Sequence, residues 1–140
     1  AGLEADIKAT YDWLAAQGNV DMNRVYCVGY CMGGRVSFIT NSILPVKAAA
    51  SYYGSGIDSM TERCADLHGK QLFYWGGLDK HIKSENIHTT LKAMEAAGKD
   101  FINVKISYAD HGFNCDERAS YNQAASEEAW ALTLAFFANS

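Results

Sequence analysis

The sequence predicts an α/β protein, a three-layer αβα sandwich built around a parallel sheet of about four strands. Its 140 residues are 49% apolar and 20% charged, which is typical of one globular domain. Helical and strand-like patterns alternate along the chain, and the strand-like segments are continuous apolar runs, as in strands that helices cover on both faces. Strands separated by helices run parallel, because a tight hairpin cannot connect them. We therefore expect a single domain over residues 1–140.

The first half of the chain has the pattern helix, strand, helix, strand. Apolar residues at helical spacing mark the two helices: Leu3, Ile7, Tyr11 and Leu14 for the first, and Val36, Ile39 and Ile43 for the second. Gly18 follows the first helix as a candidate cap, and the only proline, Pro45, follows the second. The apolar run 24–29 ends in glycine and predicts a buried strand, and residues 47–53 predict the next one.

The second half continues the alternation. Apolar residues at helical spacing mark three more helices: Met60, Cys64 and Leu67, then Ile87, Leu91 and Met94, and last Trp130, Leu134 and Phe137. Ser59 and Glu62 have the spacing of a capping box at the start of the first of these. Residues 72–75 and 104–108 predict the third and fourth strands, and the last helix is expected to begin near Ser120.

Charge and hydropathy exclude several classes of partner. Acidic residues outnumber basic ones, 16 to 12, and the basic residues are scattered, so we expect no nucleic-acid partner, which needs a concentrated basic surface. No apolar run reaches the ~20 residues that span a bilayer. No charged start followed by an apolar core is present. We therefore expect neither a membrane partner nor a signal peptide.

Four cysteines raise the question of metal or thiol chemistry: Cys27, Cys31, Cys64 and Cys115. No C-x-x-C pair occurs, so a structural zinc site is not expected. A chain of this size does not need disulfides for its stability. We expect reduced thiols in a cytoplasmic protein, and the remaining question is whether one thiol is a nucleophile.

The segment that follows the first predicted strand has the form G-x-C-x-G-G, from Gly29 to Gly34. A sharp turn from a strand to a helix exposes its central residue, and the neighbours of that residue must be small. The turn would place Cys31 at a helix N-terminus, which favours a thiolate, and would direct the N–H of Met32 at a developing oxyanion. The alternative is a glycine-rich turn that only packs a helix on a strand, with Cys31 as a buried filler.

Two more reactive residue types follow later strands. Asp79 comes after the third strand and His111 after the fourth. Alone, the first would be a turn cap and the second a surface residue. Together with Cys31 they follow three strands of one parallel sheet, in the order nucleophile, acid, base that hydrolases of this architecture use. His81 is close enough to Asp79 to line the mouth of the pocket as a substrate-binding residue, and Asp110 competes as the acid.

Five stretches of the chain resemble the dienelactone hydrolase (carboxymethylenebutenolidase) family of the α/β-hydrolase superfamily. They are G-Y-C-M-G-G-R at 29–35, S-Y-Y-G at 51–54, W-G-G-L-D at 75–79, D-H-G-F at 110–113 and A-W-x-x-T-L-x-F-F at 129–137. Together they extend over essentially the whole chain. The resemblance implies Cys31 as nucleophile, His111 as base and Asp79 as acid.

The resemblance also implies a reaction and a larger fold. It implies hydrolysis of a small-molecule ester or lactone through a thioester acyl-enzyme, with no metal or organic cofactor. The chain matches the C-terminal part of the family fold. The upstream part of the family carries a second oxyanion donor, a glutamate near the resting thiol and an arginine for a substrate carboxylate. Lactone-specialised members have another arginine where this chain has Cys115, which leaves the substrate open.

Two alternatives and one association remain open at this stage. The chain is either an enzyme or an inactive truncated hydrolase that serves as an interaction module. A Cys–His amidotransferase or DJ-1-like enzyme also places a cysteine in such a turn, usually with a glutamate near the histidine. If the upstream half is absent, the strand at 24–29 becomes an unprotected sheet edge. We then expect self-association through that edge, or a chain that is part of a longer protein.

Overall fold

A computed structural model describes residues 2–140 and contains one parallel sheet in the order β1-β2-β3-β4. The strands are β1 (Tyr26–Tyr30), β2 (Ala48–Tyr52), β3 (Lys70–Gly76) and β4 (Phe101–Ile106). The helices are α1 (Gly2–Ala15), α2 (Met32–Ile43), α3 (Ser84–Ala96) and α4 (Gln123–Ala138). The predicted α/β class with four parallel strands is confirmed.

Alternate residues of each strand point to opposite faces of the sheet, and helices pack on both of these faces. On one face, Phe38 of α2 packs against Phe73 of β3, with ring centroids 6.2 Å apart. On the other face, the buried hydroxyls of Tyr52 and Tyr74 lie 2.7 and 3.0 Å from the hydroxyl of Thr133 in α4. The β2 strand is fully buried between these layers, which accounts for its run of small and apolar residues.

A buried polar network ties α2 to the sheet. The Asn41 amide of α2 donates to Gln71 Oε1 at 3.1 Å, and the Gln71 amide donates to Ser51 Oγ at 3.0 Å. The Ser51 hydroxyl in turn donates to the carbonyl oxygen of Gly34, at 2.7 Å, in the first turn of α2. Because every member has a partner, the network fixes the N-terminal end of α2 relative to β2 and β3.

Two element boundaries differ from the sequence prediction near the first strand and the short helix. Arg24 lies in a 3₁₀ turn, Met22–Arg24, so β1 begins two residues later than predicted. The predicted capping box at Ser59 is wrong, because the Ser59 hydroxyl donates back to the carbonyl oxygen of Gly56 at 2.7 Å. That segment is a 3₁₀ helix, Ile57–Asp66, with a kink at Met60, where φ is −137°.

The other differences concern element ends. Gly18 was expected to cap α1, yet it does not adopt the left-handed conformation, whereas Gly98 after α3 does, with φ of +62°. The fourth strand runs from Phe101 to Ile106 instead of from Val104 to Tyr108. The last helix begins at Gln123 instead of near Ser120, because the side chain of Asn122 accepts a hydrogen bond from the N–H of Ala125.

Strand β1 forms one edge of the sheet, with β2 as its neighbour. Val28 and Tyr30, which share one face of this strand, are each 38% exposed. Within residues 2–140, no helix combines the length and apolar character of a segment that crosses a bilayer. Self-association through the β1 edge stays a prediction.

Candidate active site

The turn between β1 and α2 presents Cys31 in a strained backbone conformation. Cys31 has φ of 54° and ψ of −116° and stands between the last residue of β1 and the first residue of α2. A Cβ on Gly29 would lie 1.9 Å from the carbonyl oxygen of Gly33, and one on Gly34 would lie 2.7 Å from that of Tyr52. Glycine is therefore required at these two positions. A Cβ on Gly33 would meet nothing within 4 Å.

Cys31 is held at the N-terminal end of α2. Its backbone N–H donates to the carbonyl oxygen of Tyr52 at 3.0 Å, so the turn is fixed to the end of β2. A helix N-terminus carries a partial positive charge, which stabilises negative charge that develops nearby during a reaction. The N–H of Met32, the first residue of α2, has no carbonyl partner within the helix by geometry. It is therefore free to bind an oxyanion that forms on a carbon attached to the sulfur.

Asp79 follows β3 and has both carboxylate oxygens occupied. Its Oδ1 accepts the backbone N–H groups of His81 at 2.7 Å and Ile82 at 3.1 Å, and its Oδ2 lies 2.8 Å from Nδ1 of His111. The Asp79 side chain is 1% exposed. Asp79 thus caps its own turn, as the structural alternative expected, and binds the imidazole with the remaining oxygen.

His111 connects the acid to the thiol. Its Nε2 lies 3.1 Å from Sγ of Cys31, while its Nδ1 binds Asp79. The neighbouring carboxylate of Asp110 accepts the backbone N–H of His111 at 2.6 Å. The imidazole is therefore aligned by Asp79, and Asp110 acts on the backbone of the loop. The structure brings together Cys31, His111 and Asp79, the three side chains that the sequence singled out.

Two aromatic rings flank the imidazole. The exposed His81 ring lies edge-on to His111 with centroids 5.1 Å apart, and its role in substrate binding stays a prediction. The buried ring of Tyr53 lies at the same centroid distance, 5.1 Å, from His111. Tyr53 is the third residue of the S-Y-Y-G stretch, and no local pattern in the sequence indicates a role for it beside His111.

The other thiols differ from Cys31 in their surroundings. All four cysteines are free. Burial raises the pKa of the thiols of Cys27 and Cys64 above the ordinary value, so both stay protonated at neutral pH. Cys31 is half-buried and adjoins an imidazole. Within residues 2–140, no three His, Cys, Asp or Glu side chains are arranged to hold a metal ion.

Comparison with known proteins places this geometry in context. The model of the dienelactone hydrolase family matches residues 2–140. A protein of Escherichia coli O157:H7 with the provisional name carboxymethylenebutenolidase is 32% identical over 95% of this chain and 52% of its own length. A Synechocystis protein with the same provisional name is 33% identical over 98% of this chain and 59% of its own length. The chain thus spans about half the length of these curated relatives.

Solved structures show the same fold. A provisionally assigned dienelactone hydrolase from Klebsiella pneumoniae superimposes with a TM-score of 0.88 and 32% identity, over 97% of this chain and 60% of that chain. A dienelactone hydrolase-like promiscuous phosphotriesterase from metagenomic libraries has the same TM-score at 19% identity, over 98% of this chain and 61% of that one. The second likeness is one of fold alone.

Proposed function

This chain belongs to the dienelactone hydrolase family, and we propose that it carries the catalytic triad of a hydrolase that cleaves ester or lactone bonds. In this proposal Cys31 is the nucleophile, His111 the general base and acid, and Asp79 the residue that orients the imidazole. The observation that carries the proposal is the continuous contact from Asp79 Oδ2 through His111 to Cys31 Sγ, with distances of 2.8 and 3.1 Å. Such a relay is the arrangement that activates a nucleophile through an oriented base.

Acylation is the first half of the reaction. His111 Nε2 takes the proton of Cys31, and the sulfur attacks the carbonyl carbon of the substrate. The resulting oxyanion is bound by the N–H of Met32 at the start of α2. As the tetrahedral intermediate collapses, the bond from carbon to the alkoxy oxygen breaks, and the imidazolium gives its proton to that leaving oxygen. An ester then releases its alcohol, whereas a lactone keeps it in the ring-opened acyl group.

Deacylation returns the enzyme to its starting state. The imidazole removes a proton from a water molecule, and the hydroxide attacks the thioester carbon. The carbon–sulfur bond breaks, the acid is released, and Cys31 takes the proton back from His111. Asp79 stays ionised throughout and stabilises the imidazolium of each half-reaction. Residues 31, 32, 79 and 111 supply the nucleophile, one oxyanion donor, the acid and the base, and the family resemblance implies a second oxyanion donor from the upstream part of the fold.

The family and the opening of the site support a small-molecule ester or lactone as the substrate. His81 is exposed beside the imidazole, and we assign it a substrate-contacting role at the opening. The lactone substrate indicated by the relatives' provisional names stays open for this chain. An amidotransferase-like assignment is less well supported, because the histidine is oriented by Asp79, 32 residues upstream in the sequence.

The proposal is tested by turnover of p-nitrophenyl acetate and of a dienelactone by the purified chain. We expect a burst of p-nitrophenol, and intact-mass analysis after a rapid acid quench should detect an acetylated enzyme whose label maps to Cys31. Cys31→Ala should abolish both signals. Cys115→Ala is the matched control, because it removes another half-buried thiol and should leave turnover unchanged.

The same measurements decide the alternative that this chain is an inactive interaction module. The specific observation behind that alternative is coverage of only 52% to 59% of the first two curated relatives. A folded chain that shows neither turnover nor acetylation of Cys31 would favour the module over the enzyme. Acetylation without turnover would place the defect in deacylation.

A further inference from the structure

The S-Y-Y-G segment, residues 51–54, contacts Cys31, His111 and the first turn of α2. Ser51 Oγ donates to the carbonyl of Gly34, and the carbonyl of Tyr52 accepts the N–H of Cys31. Tyr53 lies next to His111. We propose that Tyr53 is a positioning residue, whose ring and hydroxyl hold the loop of His111 so that Nε2 stays aligned with the sulfur. This inference rests on the proposed function and assigns a role to a residue outside the triad.

The backbone of Tyr53 shows that its side chain is placed at a conformational cost. Tyr53 has φ of +39°, in the left-handed region that non-glycine residues rarely adopt. The other non-glycine residue with positive φ among residues 2–140 is Cys31. The N–H of Tyr53 donates to the carbonyl of Tyr74 at 2.8 Å, which fixes the strained residue to β3. Strain of this kind concentrates at functional sites, where the surrounding structure maintains it.

The side chain of Tyr53 contacts the histidine loop in two ways. Its ring lies 5.1 Å from the His111 ring and 5.2 Å, edge to face, from the ring of Phe113. Its phenol oxygen faces the backbone N–H of Asn114, which opposes the effect of burial on the pKa of Tyr53. Tyr53 is 2% exposed, and burial raises its pKa to about 12. The phenol is therefore neutral at working pH and does not compete with His111 for a proton.

These contacts matter because His111 does not stand on a helix or a strand. It lies between β4 and α4 in a loop stabilised by short-range backbone bonds, such as Phe113 N–H to Asp110 and Cys115 N–H to Gly112. The two bonds of the imidazole join its edge atoms to Asp79 and Cys31 and leave tilting of the ring weakly restrained. The rigid ring of Tyr53, which packs against the rings of His111 and Phe113, supplies that restraint.

The test measures carbamidomethylation of Cys31 by iodoacetamide as a function of pH, with the modified peptide quantified by mass spectrometry. The rate reports the thiolate that His111 stabilises and needs no ester, so it is independent of hydrolase turnover. Tyr53→Leu removes the ring and hydroxyl. We expect its rate of alkylation at neutral pH to fall about tenfold and to approach the wild-type rate at high pH. Tyr53→Phe keeps the ring and should restore most of the rate.

Two buried residues away from His111 provide matched controls. Phe136→Leu removes a buried ring near the far end of α4, and Tyr74→Phe removes a buried hydroxyl bonded to α4. Both should lower the melting temperature without moving the pH profile of Cys31. The inference is overturned if Tyr53→Leu folds and keeps the wild-type profile, or if Phe136→Leu shifts it equally. If Tyr53→Leu does not fold, the test falls to Tyr53→Phe. A pH profile of Cys31 alkylation identical to that of the wild type in rate and shape then overturns the role assigned to the hydroxyl.

A failure of this inference is distinguishable from a failure of the proposed function. A wild-type chain that turns over no ester, yet whose Cys31 reactivity depends on Tyr53 as described, refutes the hydrolase and supports the positioning role. If Tyr53→Leu hydrolyses esters as fast as the wild type and its Cys31 is equally reactive towards iodoacetamide, the hydrolase is supported and the positioning role is refuted. Where turnover occurs, we expect Tyr53→Leu to lower kcat with KM nearly unchanged.

Discussion

Replacing Asp79 by asparagine should be far more damaging than its small change in shape suggests. In the native site, Oδ1 of Asp79 accepts the N–H groups of His81 and Ile82, and Oδ2 binds Nδ1 of His111. In Asp79→Asn, the amide oxygen must occupy the Oδ1 position to serve the two N–H donors. The NH₂ group then faces His111 and donates to Nδ1. This forces the imidazole into the tautomer with hydrogen on Nε2, which cannot accept the proton of Cys31.

The magnitude follows from the cost of turning that amide around. The productive orientation leaves two backbone donors unpaired, at about 1 to 3 kcal/mol each, or about 2 to 6 kcal/mol in total. At about 1.36 kcal/mol per tenfold change, the productive form is populated in about one molecule in 30 to one in 3 × 10⁴. We expect kcat/KM to fall by the same factor, about 30-fold to about 3 × 10⁴-fold.

The assay is hydrolysis of p-nitrophenyl acetate at neutral pH, with thermal unfolding measured on the same samples. Asp110→Asn is the matched control, because the Asp110 carboxylate binds the backbone N–H of His111 and an asparagine oxygen can replace it. We expect this control to retain activity within about threefold, as for a neutral hydrogen bond of about 0.5 kcal/mol. Retention of activity by a folded Asp79→Asn, or an equal loss in Asp110→Asn, would refute the reasoning.

Three further outcomes are expected. Iodoacetamide at neutral pH should label Cys31 at least about tenfold faster than Cys64, whose pKa burial raises; equal rates in peptide mass spectrometry would contradict the assignment of the nucleophile. Gly34→Ala should lower the free energy of unfolding by about 1 to 3 kcal/mol, because its Cβ would lie 2.7 Å from a carbonyl oxygen of β2; Gly33→Ala, with open space around it, should be nearly neutral in the same denaturant titration. Light scattering should find the wild-type chain associated through the β1 edge and Val28→Lys less so, since a lysine on an edge strand opposes pairing; a clean wild-type monomer would refute the association.

The residues of the proposed triad could be picked out from the sequence because each follows a strand of a parallel sheet. Parallel strands end at the same edge, so Cys31, Asp79 and His111 converge although they are far apart along the chain. The glycines beside Cys31 also predicted the sharp turn between β1 and α2. The sequence did not show which of these glycines is required. The structure shows that Gly29 and Gly34 have no space for a side chain, whereas Gly33 does.

The helix starts were less predictable, because several residues compete for the same local hydrogen bonds. Ser120 and Asn122 both have side chains suited to an N-cap. Asn122 is the N-cap, and its backbone N–H also donates to the carbonyl of Phe113 in the histidine loop, at 3.0 Å. Tyr53 was missed for a similar reason: a tyrosine has no local preference for positive φ, and only the packing around His111 explains its conformation.

The order of the strands in the sheet is also the order in which a ribosome would make them. Each new strand adds to the edge formed just before it, from β1 to β4, so the sheet can assemble as the chain emerges. The loop of His111 is different, because the carbonyl of Phe113 is bound by Asn122 N–H and by Ser126 Oγ, at 3.0 and 2.9 Å, from the last helix. A nascent chain that has not yet reached Asn122 already contains Cys31, Asp79 and His111 and still lacks the bonds that anchor the histidine loop. The alignment of His111 with the Cys31 thiol therefore depends on residues that are synthesised after all three side chains of the proposed triad.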